Sequence, residues 1–280
     1  MRTEDYRDNI DRDFSGPAIL SRLHTKWLGQ GGRLIFCRET GSTNADALEY
    51  ARNGAEEGVL IAADMQNSGK GRRGRSWQSP SGCTISMSYL LRPAFDPDRA
   101  PMITLIMALA ALKGIESVSG MELQIKWPND IILGNKKLAG ILTEMSVDSV
   151  RIEHVVVGTG INVNNPDFPP ELADIATSLF IESGRSYSRA SIVGEVTDIF
   201  EGYYENFRES GSLKDFVHIY NSHCVNMGKA LKVLDPKGEY SGMGRGINER
   251  GELMVELPDG EIRNIYAGEV SVRGINSYGL

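Results

Sequence analysis

The hydrophobic pattern of this chain changes period several times. VLIAADMQ (59–66) opens with five apolar residues in a row, and CTISMSYLL (83–91) and EHVVVGTGINVN (153–164) are also rich in β-branched and apolar residues, so all three read as buried strands. RLIFCRE (33–39) predicts another strand. GSTNADALEYARNG (41–54) has a helical period, a Ser42 or Thr43 cap and a closing Gly54. A long apolar helix is predicted over 98–119, around MITLIMALAALKGI. ELQIKW follows, then a sharp turn at Pro128-Asn129-Asp130 and a hairpin, DIILGNKKLAGILTEM, turning at Gly134-Asn135. Two helices fall between 189 and 224. Ahead of all this, a helix is predicted after Pro17, with Ile19, Leu20, Leu23 and Trp27 on one face and Gly31-Gly32 as its end. Strands that arrive as hairpins around a few helices, rather than as repeated strand–helix units, predict an α+β fold with a mixed sheet.

The last fifty or so residues change character. ALKVLD, GEYSGMGRGINE, GELMVELP and EIRNIYAGEVSVR are short alternating strands separated by DPKG, NERG and PDG turns, the pattern of a small β-barrel. The expected organisation is a loose, charged segment over 1–16, a main domain over 17–226 and a barrel over 227–280.

Composition narrows the function classes. With 280 residues and 41% apolar content the chain has the makeup of an ordinary soluble globular protein. It shows neither a long uninterrupted apolar run nor a basic-then-apolar N-terminus, so a cytoplasmic protein with no membrane role is expected. Cys37, Cys83 and Cys224 lie far apart without a C-x-x-C, which predicts reduced thiols. His218, His223 and Cys224 are too poorly spaced for a metal site, and no protein-ligated metal is expected. A net charge of −7 disfavours nucleic acid as a partner.

Against that acidic background, residues 69–75 pack four cations and three glycines, GKGRRGR. Gly69, Gly71 and Gly74 spell G-x-G-x-x-G, and the same residues nearly spell a P-loop with Arg75 in place of lysine. Both templates need a helix directly after the glycines, whereas RSWQSPSG holds Pro80 and Gly82 and has no helical period. What survives is a long flexible loop of backbone N–H groups and guanidinium forks able to close over a small anion. KWPNDIILGNKKLAGILTE presents Lys126, Asn129, Asp130, Lys136 and Lys137 within twelve residues, and GTGINVN ends a strand with Asn162 and Asn164. Singly, such residues usually serve solvent or turns.

Together and in this order, GSTN, QNSGKGRRGRSW, KWPND with KKLAG just beyond, and GTGINVN resemble the biotin protein ligases over about residues 17–275. The resemblance implies a mixed sheet with helices like that of class II aminoacyl-tRNA synthetases, followed by an SH3-like barrel. It also implies a two-step reaction. Biotin and ATP, the latter with Mg2+, give biotinoyl-5′-AMP and diphosphate. A lysine of a biotin carboxyl carrier protein, in acetyl-CoA carboxylase or a related carboxylase, then takes the acyl group and releases AMP. About thirty residues precede the first predicted strand, too few for the DNA-binding domain of repressor-type ligases, so a ligase without DNA as partner is expected, with a homodimer left open. A lipoate or octanoate ligase of the same fold would carry R-R-x-S-G-G-G, which is missing. A non-enzymatic biotin-sensing transcription factor is the other alternative.

The resemblance also implies residue roles. Ser42, Thr43, Asn44 and Gln66 match positions around the biotin ureido ring, with Lys70, Gly71 and Arg72 at its carboxylate. Arg72, Arg75, Trp77, Asn129 and Asn162 match the nucleotide side, and Lys137 bridges carboxylate and α-phosphate. Asp130 orients or deprotonates the acceptor lysine, and Glu269 and Arg273 close the site from the barrel. Lys70 stands where many family members have arginine, keeping charge but losing the bidentate fork. Because strand side chains alternate, only one of Lys136 and Lys137 can face the site.

Overall fold

The computed structural model of the chain describes residues 14–148, 150–235, 238–266 and 271–274. Seven strands form one sheet in the order β1-β2-β3-β7-β6-β5-β4: β1 (Leu34–Thr40), β2 (Leu60–Gln66), β3 (Thr84–Leu91), β4 (Gln124–Lys126), β5 (Asp130–Leu133), β6 (Lys136–Asp148) and β7 (Arg151–Asn162). Only β1 and β2 run parallel, joined by helix α2 (Thr43–Arg52). The other neighbours pair antiparallel, as hairpin-type connections allow. The sheet is mixed, as its hairpin-rich pattern predicted.

Helices α3 (Ala100–Ser119) and α5 (Arg189–Ser210) cover one face. Nearly every residue of α3 is buried, and each fully buried Leu, Ile or Met there contributes about 1.5–3 kcal/mol. By length and composition this helix could cross a membrane, yet 78% of its apolar window lies inside the fold. Two short helices, α1 (Gly16–Leu20) and α4 (Leu179–Ser183), and α6 (Lys214–His223) complete the α-helices among the described residues.

The N-terminal helix is much shorter than its apolar spacing predicted. It ends at Leu20, which is 48% exposed, and the chain then turns back under α5. Glu201 explains the stop. Its carboxylate accepts from the backbone N–H groups of Lys26, Trp27 and Leu28, which a continued helix would have used internally. Nor is residue 14 part of a loose leader: Phe14 is 3% exposed and packs edge-on against Phe36, with ring centroids 5.4 Å apart.

Strands β8 (Ala230–Asp235), β9 (Gly238–Ile247), β10 (Leu253–Glu256), β11 (Ile262–Ile265) and β12 (Ser271–Gly274) form a second, antiparallel sheet in the order β11-β10-β9-β8-β12. Its apolar residues Leu231, Val233, Ile247 and Leu253 join the same core as α6. Trp127 ties the two sheets together: its N–H donates to Asn226 Oδ1 and its indole Nε1 to Gly251 O at 3.1 Å. The KWPN turn, which contains a cis Trp127–Pro128 bond, is also the joint to the second sheet.

Candidate active site

The other face of the large sheet is only half covered. Helix α2 packs Ala47 and Ala51 against Ile61, Leu90 and Val156, and beyond its N-terminus the sheet is left open as a cleft. The floor is made of small residues: Ser86 on β3, Gly140 on β6, and Gly158 and Gly160 on β7. A Cβ on Gly160 would stand 2.4 Å from the Trp77 ring, and one on Gly158 would overlap the Asn44 amide. Those two glycines let the loop and helix α2 close directly onto the strand. The floor glycines and Ser86 are site residues the sequence reading did not single out as such, although GTG at the end of a buried strand was the available signal.

Helix α2 brings GSTN to one wall. Gln66, at the end of β2, accepts from Thr43 N at 2.8 Å and Thr43 Oγ1 at 3.1 Å, so its amide NH2 is left for the cleft. Ser42 lines the same wall as the helix cap residue, and no cap bond ties up its hydroxyl. Asn44 lies in the wall as well, but its polar atoms are committed. Its Oδ1 accepts from Ser88 Oγ at 2.6 Å, and its Nδ2 donates to Glu144 Oε2 at 2.7 Å and Leu142 O at 3.3 Å. Asn44 therefore works as a strut between α2 and the floor.

The cationic loop forms the roof, and it is more than a flexible flap. Bridges Gln66↔Ser79 and Lys70↔Ser76 and the bond from Trp77 N to Gly69 O at 2.8 Å make it a braced hairpin whose tip is a tight turn at Arg72–Gly74 with Arg73 in the left-handed region. Lys70, Gly71, Arg72 and Trp77 all line the cleft. Arg72 Nη1 donates to Asn129 Oδ1 at 2.9 Å, and Asn129 in turn donates to Ile141 O at 3.0 Å, which places the Pro-Asn-Asp turn at the cleft edge. Burial holds the Arg72 guanidinium below its ordinary range. Asp130 opposes this, and Arg73 and Arg75 reinforce it. The Trp77 indole N–H is buried with no partner among the described residues.

Lys137 reaches the cleft through a bulge. Ile131 pairs with Ala139 but Ile132 with Lys137, so Leu138 is an extra residue on β6. Leu138, Ala139 and Ile141 all enter the core, which puts Lys137 on the face of Gly140. The missing Cβ of Gly140 makes room, since one built there would lie 2.8 Å from Lys137 Nζ. The ammonium sits 2.6 Å from Asp130 Oδ1 and 5.7 Å from the Trp77 ring centroid. Lys136 turns outward, with Nζ on Ala173 O at 2.6 Å.

Two predicted residues are not brought to the cleft. Arg75 is exposed; only its backbone serves the loop, accepting from Gly71 N at 2.7 Å. Asn162 is buried at the end of β7, beyond the floor glycines, donating to Thr177 O at 3.1 Å, while Thr177 N donates to Lys137 O at 2.9 Å. Asn162 thus backs the segment that clamps the Lys137 backbone. Arg273 is placed only by its strand position opposite Lys232, and Glu269 lies outside the described residues.

Residues 36–162 match the biotin/lipoate A/B protein ligase family, and residues 227–273 match the biotin protein ligase C-terminal domain. A bifunctional ligase/repressor BirA of Bacillus spizizenii is 38% identical over 252 residues, 89% of this chain and 76% of that protein. A biotin–[acetyl-CoA-carboxylase] ligase of Mycobacterium tuberculosis is 31% identical, covering 93% of this chain and 98% of its own. Among solved structures, the biotin protein ligase of Aquifex aeolicus in complex with biotin and ATP superposes with a TM-score of 0.76 at 30% identity, over 86% of this chain and 98% of that one. A half-covered sheet with a small-residue floor and a cationic roof, matched in sequence over both parts of the fold, makes this chain a member of the biotin protein ligase family.

Proposed function

We propose that the cleft binds biotin and ATP together, forms biotinyl-5′-AMP, and delivers the biotinyl group to a lysine of a carboxylase's biotin carrier domain. The observation that carries this reading is one small-floored cleft gathering ten of the predicted site residues from four separate motifs, with Lys137 and Asp130 paired at its edge. Joining a carboxylate to an α-phosphate brings two anions together. Lys70, Arg72 and Lys137, aimed from roof and wall into a partly desolvated space, offset that repulsion. The Gln66 amide and the Ser42 hydroxyl supply the donor and acceptor that a ureido ring needs inside an otherwise closed wall. The Trp77 ring and the braced loop shield the mixed anhydride from water.

The transfer step needs a neutral amine, and a free lysine with pKa near 10.4 is almost wholly protonated. Asp130, at the cleft edge beside Lys137, is placed to orient that amine and take its proton. Arg75 keeps a nucleotide-side role only if the loop moves toward the bound nucleotide, Asn162 acts through the segment it braces, and Glu269 and Arg273 are the contribution expected of the second sheet. Mg2+ would arrive with the ATP phosphates. The cleft wall is cationic and no group of three His, Cys, Asp or Glu gathers among the described residues, so the residues present do not fit a protein-held ion. The division into 17–226 for chemistry and 227–280 for closure follows the two sheets. Incubating the purified chain with biotin and ATP should yield biotinyl-AMP and diphosphate, and then label one lysine of an apo carrier domain. Turnover with lipoate or octanoate in place of biotin would overturn the reading.

A further inference from the structure

The antiparallel ladder of β2 and β3 runs Leu60↔Tyr89, Ile61↔Ser88, Ala62↔Met87 and Ala63↔Ser86. Continued at that register, it would bring Gln66 opposite Cys83. Gln66 instead bridges to Ser79, its N–H donating to Ser79 O at 3.3 Å, so the pairing has slipped by four residues between β2 and the roof. An even slip leaves every side chain on its own face of the sheet, and hydrophobic patterning therefore cannot choose between the two registers. Something else must select the slipped one.

Asp64 lies in the gap. Its Oδ2 accepts from Ser81 Oγ at 2.5 Å, and its Oδ1 from Gly82 N at 3.0 Å and from the Arg189 guanidinium. The looped-out residues thus hang on one carboxylate. Arg189, the first residue of α5, also donates to Thr84 O at 2.9 Å, and its guanidinium lies 4.2 Å from the Phe14 ring centroid. Its side chain is 1% exposed and that of Asp64 12%. Burial alone would push the Asp64 carboxyl up, but the Ser81 hydroxyl, Arg189 and the Gly82 N–H bring it below its ordinary value, so the carboxylate is charged at neutral pH. Desolvation largely offsets the attraction in a buried ion pair. Such a pair is weak evidence for stability, and its best-attested use is choosing one register over another.

We propose that Asp64 and Arg189 are a positioning pair for the ligase reaction: they fix the register at which the cationic loop leaves the sheet, and so place Arg72 and Trp77 over the cleft. The link from pin to site is short. Ser79 Oγ bonds both Thr84 Oγ1 and Ser86 Oγ at 2.8 Å, and Ser86 and Gln66 line the cleft directly beneath Trp77. Relaxing the slip would carry Ser79 off Gln66 and lift the loop while leaving β2 and β3 intact. The inference rests on the reading of the cleft as the biotin and adenylate site.

The test is a double variant, Asp64→Leu with Arg189→Met, which removes both buried charges for apolar groups of similar bulk. It is expected to unfold cooperatively near the parent's midpoint. Trypsin should nevertheless cut its ligand-free loop at Lys70–Arg75 about tenfold faster. The biotin KM should rise about a hundredfold, well beyond any fall in kcat. Asp64→Asn, a milder change, carries the same two readouts should the double variant not fold. Unchanged loop cleavage together with an unchanged KM, with or without a fall in melting temperature, would overturn the register role. The trypsin measurement needs no ligand, so it decides the register even if the parent makes no biotinyl-AMP, an outcome that would count against the cleft reading alone.

Discussion

The two faces of the large sheet are built by the same strands to opposite ends. On β3, Met87 and Tyr89 point into the core under α3 and α5 and are fully buried, while their neighbours Ser86 and Ser88 face the cleft side. On β7, Val157 and Ile161 belong to the core, while Gly158 and Gly160 lie under Asn44 and Trp77. One face fills its volume with large apolar side chains and derives stability from it. The other gives up that volume so that a loop and a ligand can come close to backbone. Mutations should therefore separate: those on the cleft face should change rate and binding, and those on the helix face should change stability.

The largest expected effect is on the cleft face. Lys137→Ala should slow both adenylate formation and transfer from preformed biotinyl-AMP by roughly a hundredfold to a thousandfold, while Lys136→Ala changes little. Single-turnover assays of each half-reaction check this, and equal losses in the two variants would end the assignment. Next in size is Gly160→Val, which should lower kcat/KM by about a hundredfold by forcing Trp77 off the floor, with little change in the midpoint of thermal unfolding. A large loss of stability with normal turnover would blur the two faces.

The helix side should show itself in alkali. Burial raises the Cys224 thiol from 9.0 to about 11. Between those values the unfolded thiol ionises while the folded one keeps its proton, so this contribution is fully present below about pH 9 and is lost as pH rises towards about 11. Denaturant titrations at about pH 8 and about pH 10.5 should differ by about 2 kcal/mol more in the parent than in Cys224→Ala. The smallest expected effect is Tyr89→Phe, which removes the 2.9 Å bond to Thr197 Oγ1 and should cost about 1 kcal/mol of stability without altering biotin KM.

Much of the site could be read along the chain because its parts are short and contiguous. GSTN, GKGRRGRSW, KWPND and KKLAG between them place most of the predicted cleft residues within a few positions of one another, and local turn and strand chemistry presents them together. That only one of Lys136 and Lys137 faces the site followed from alternation, and the family resemblance chose Lys137, but the face it reached depended on the bulge at Leu138, which alternation alone does not reveal. The N-terminal helix was overread because its apolar spacing is real while its backbone N–H groups are claimed by Glu201, a residue far along the chain. For the same reason nothing in the sequence around Phe14 shows that it meets Phe36 and Arg189.

By itself, then, the sequence determined most of the strands and helices, the mixed character of the sheet and those cleft residues that sit in short motifs, since hydrophobic period, turn chemistry and short motifs are local properties. Only the tertiary structure decided that Asn44 is a strut, that Asn162 is committed to Thr177 and that the loop is pinned through Asp64 to Arg189. Each of those outcomes turns on a hydrogen bond or ion pair between residues far apart in the chain, and a buried polar group has to take whichever partner the packing brings within reach.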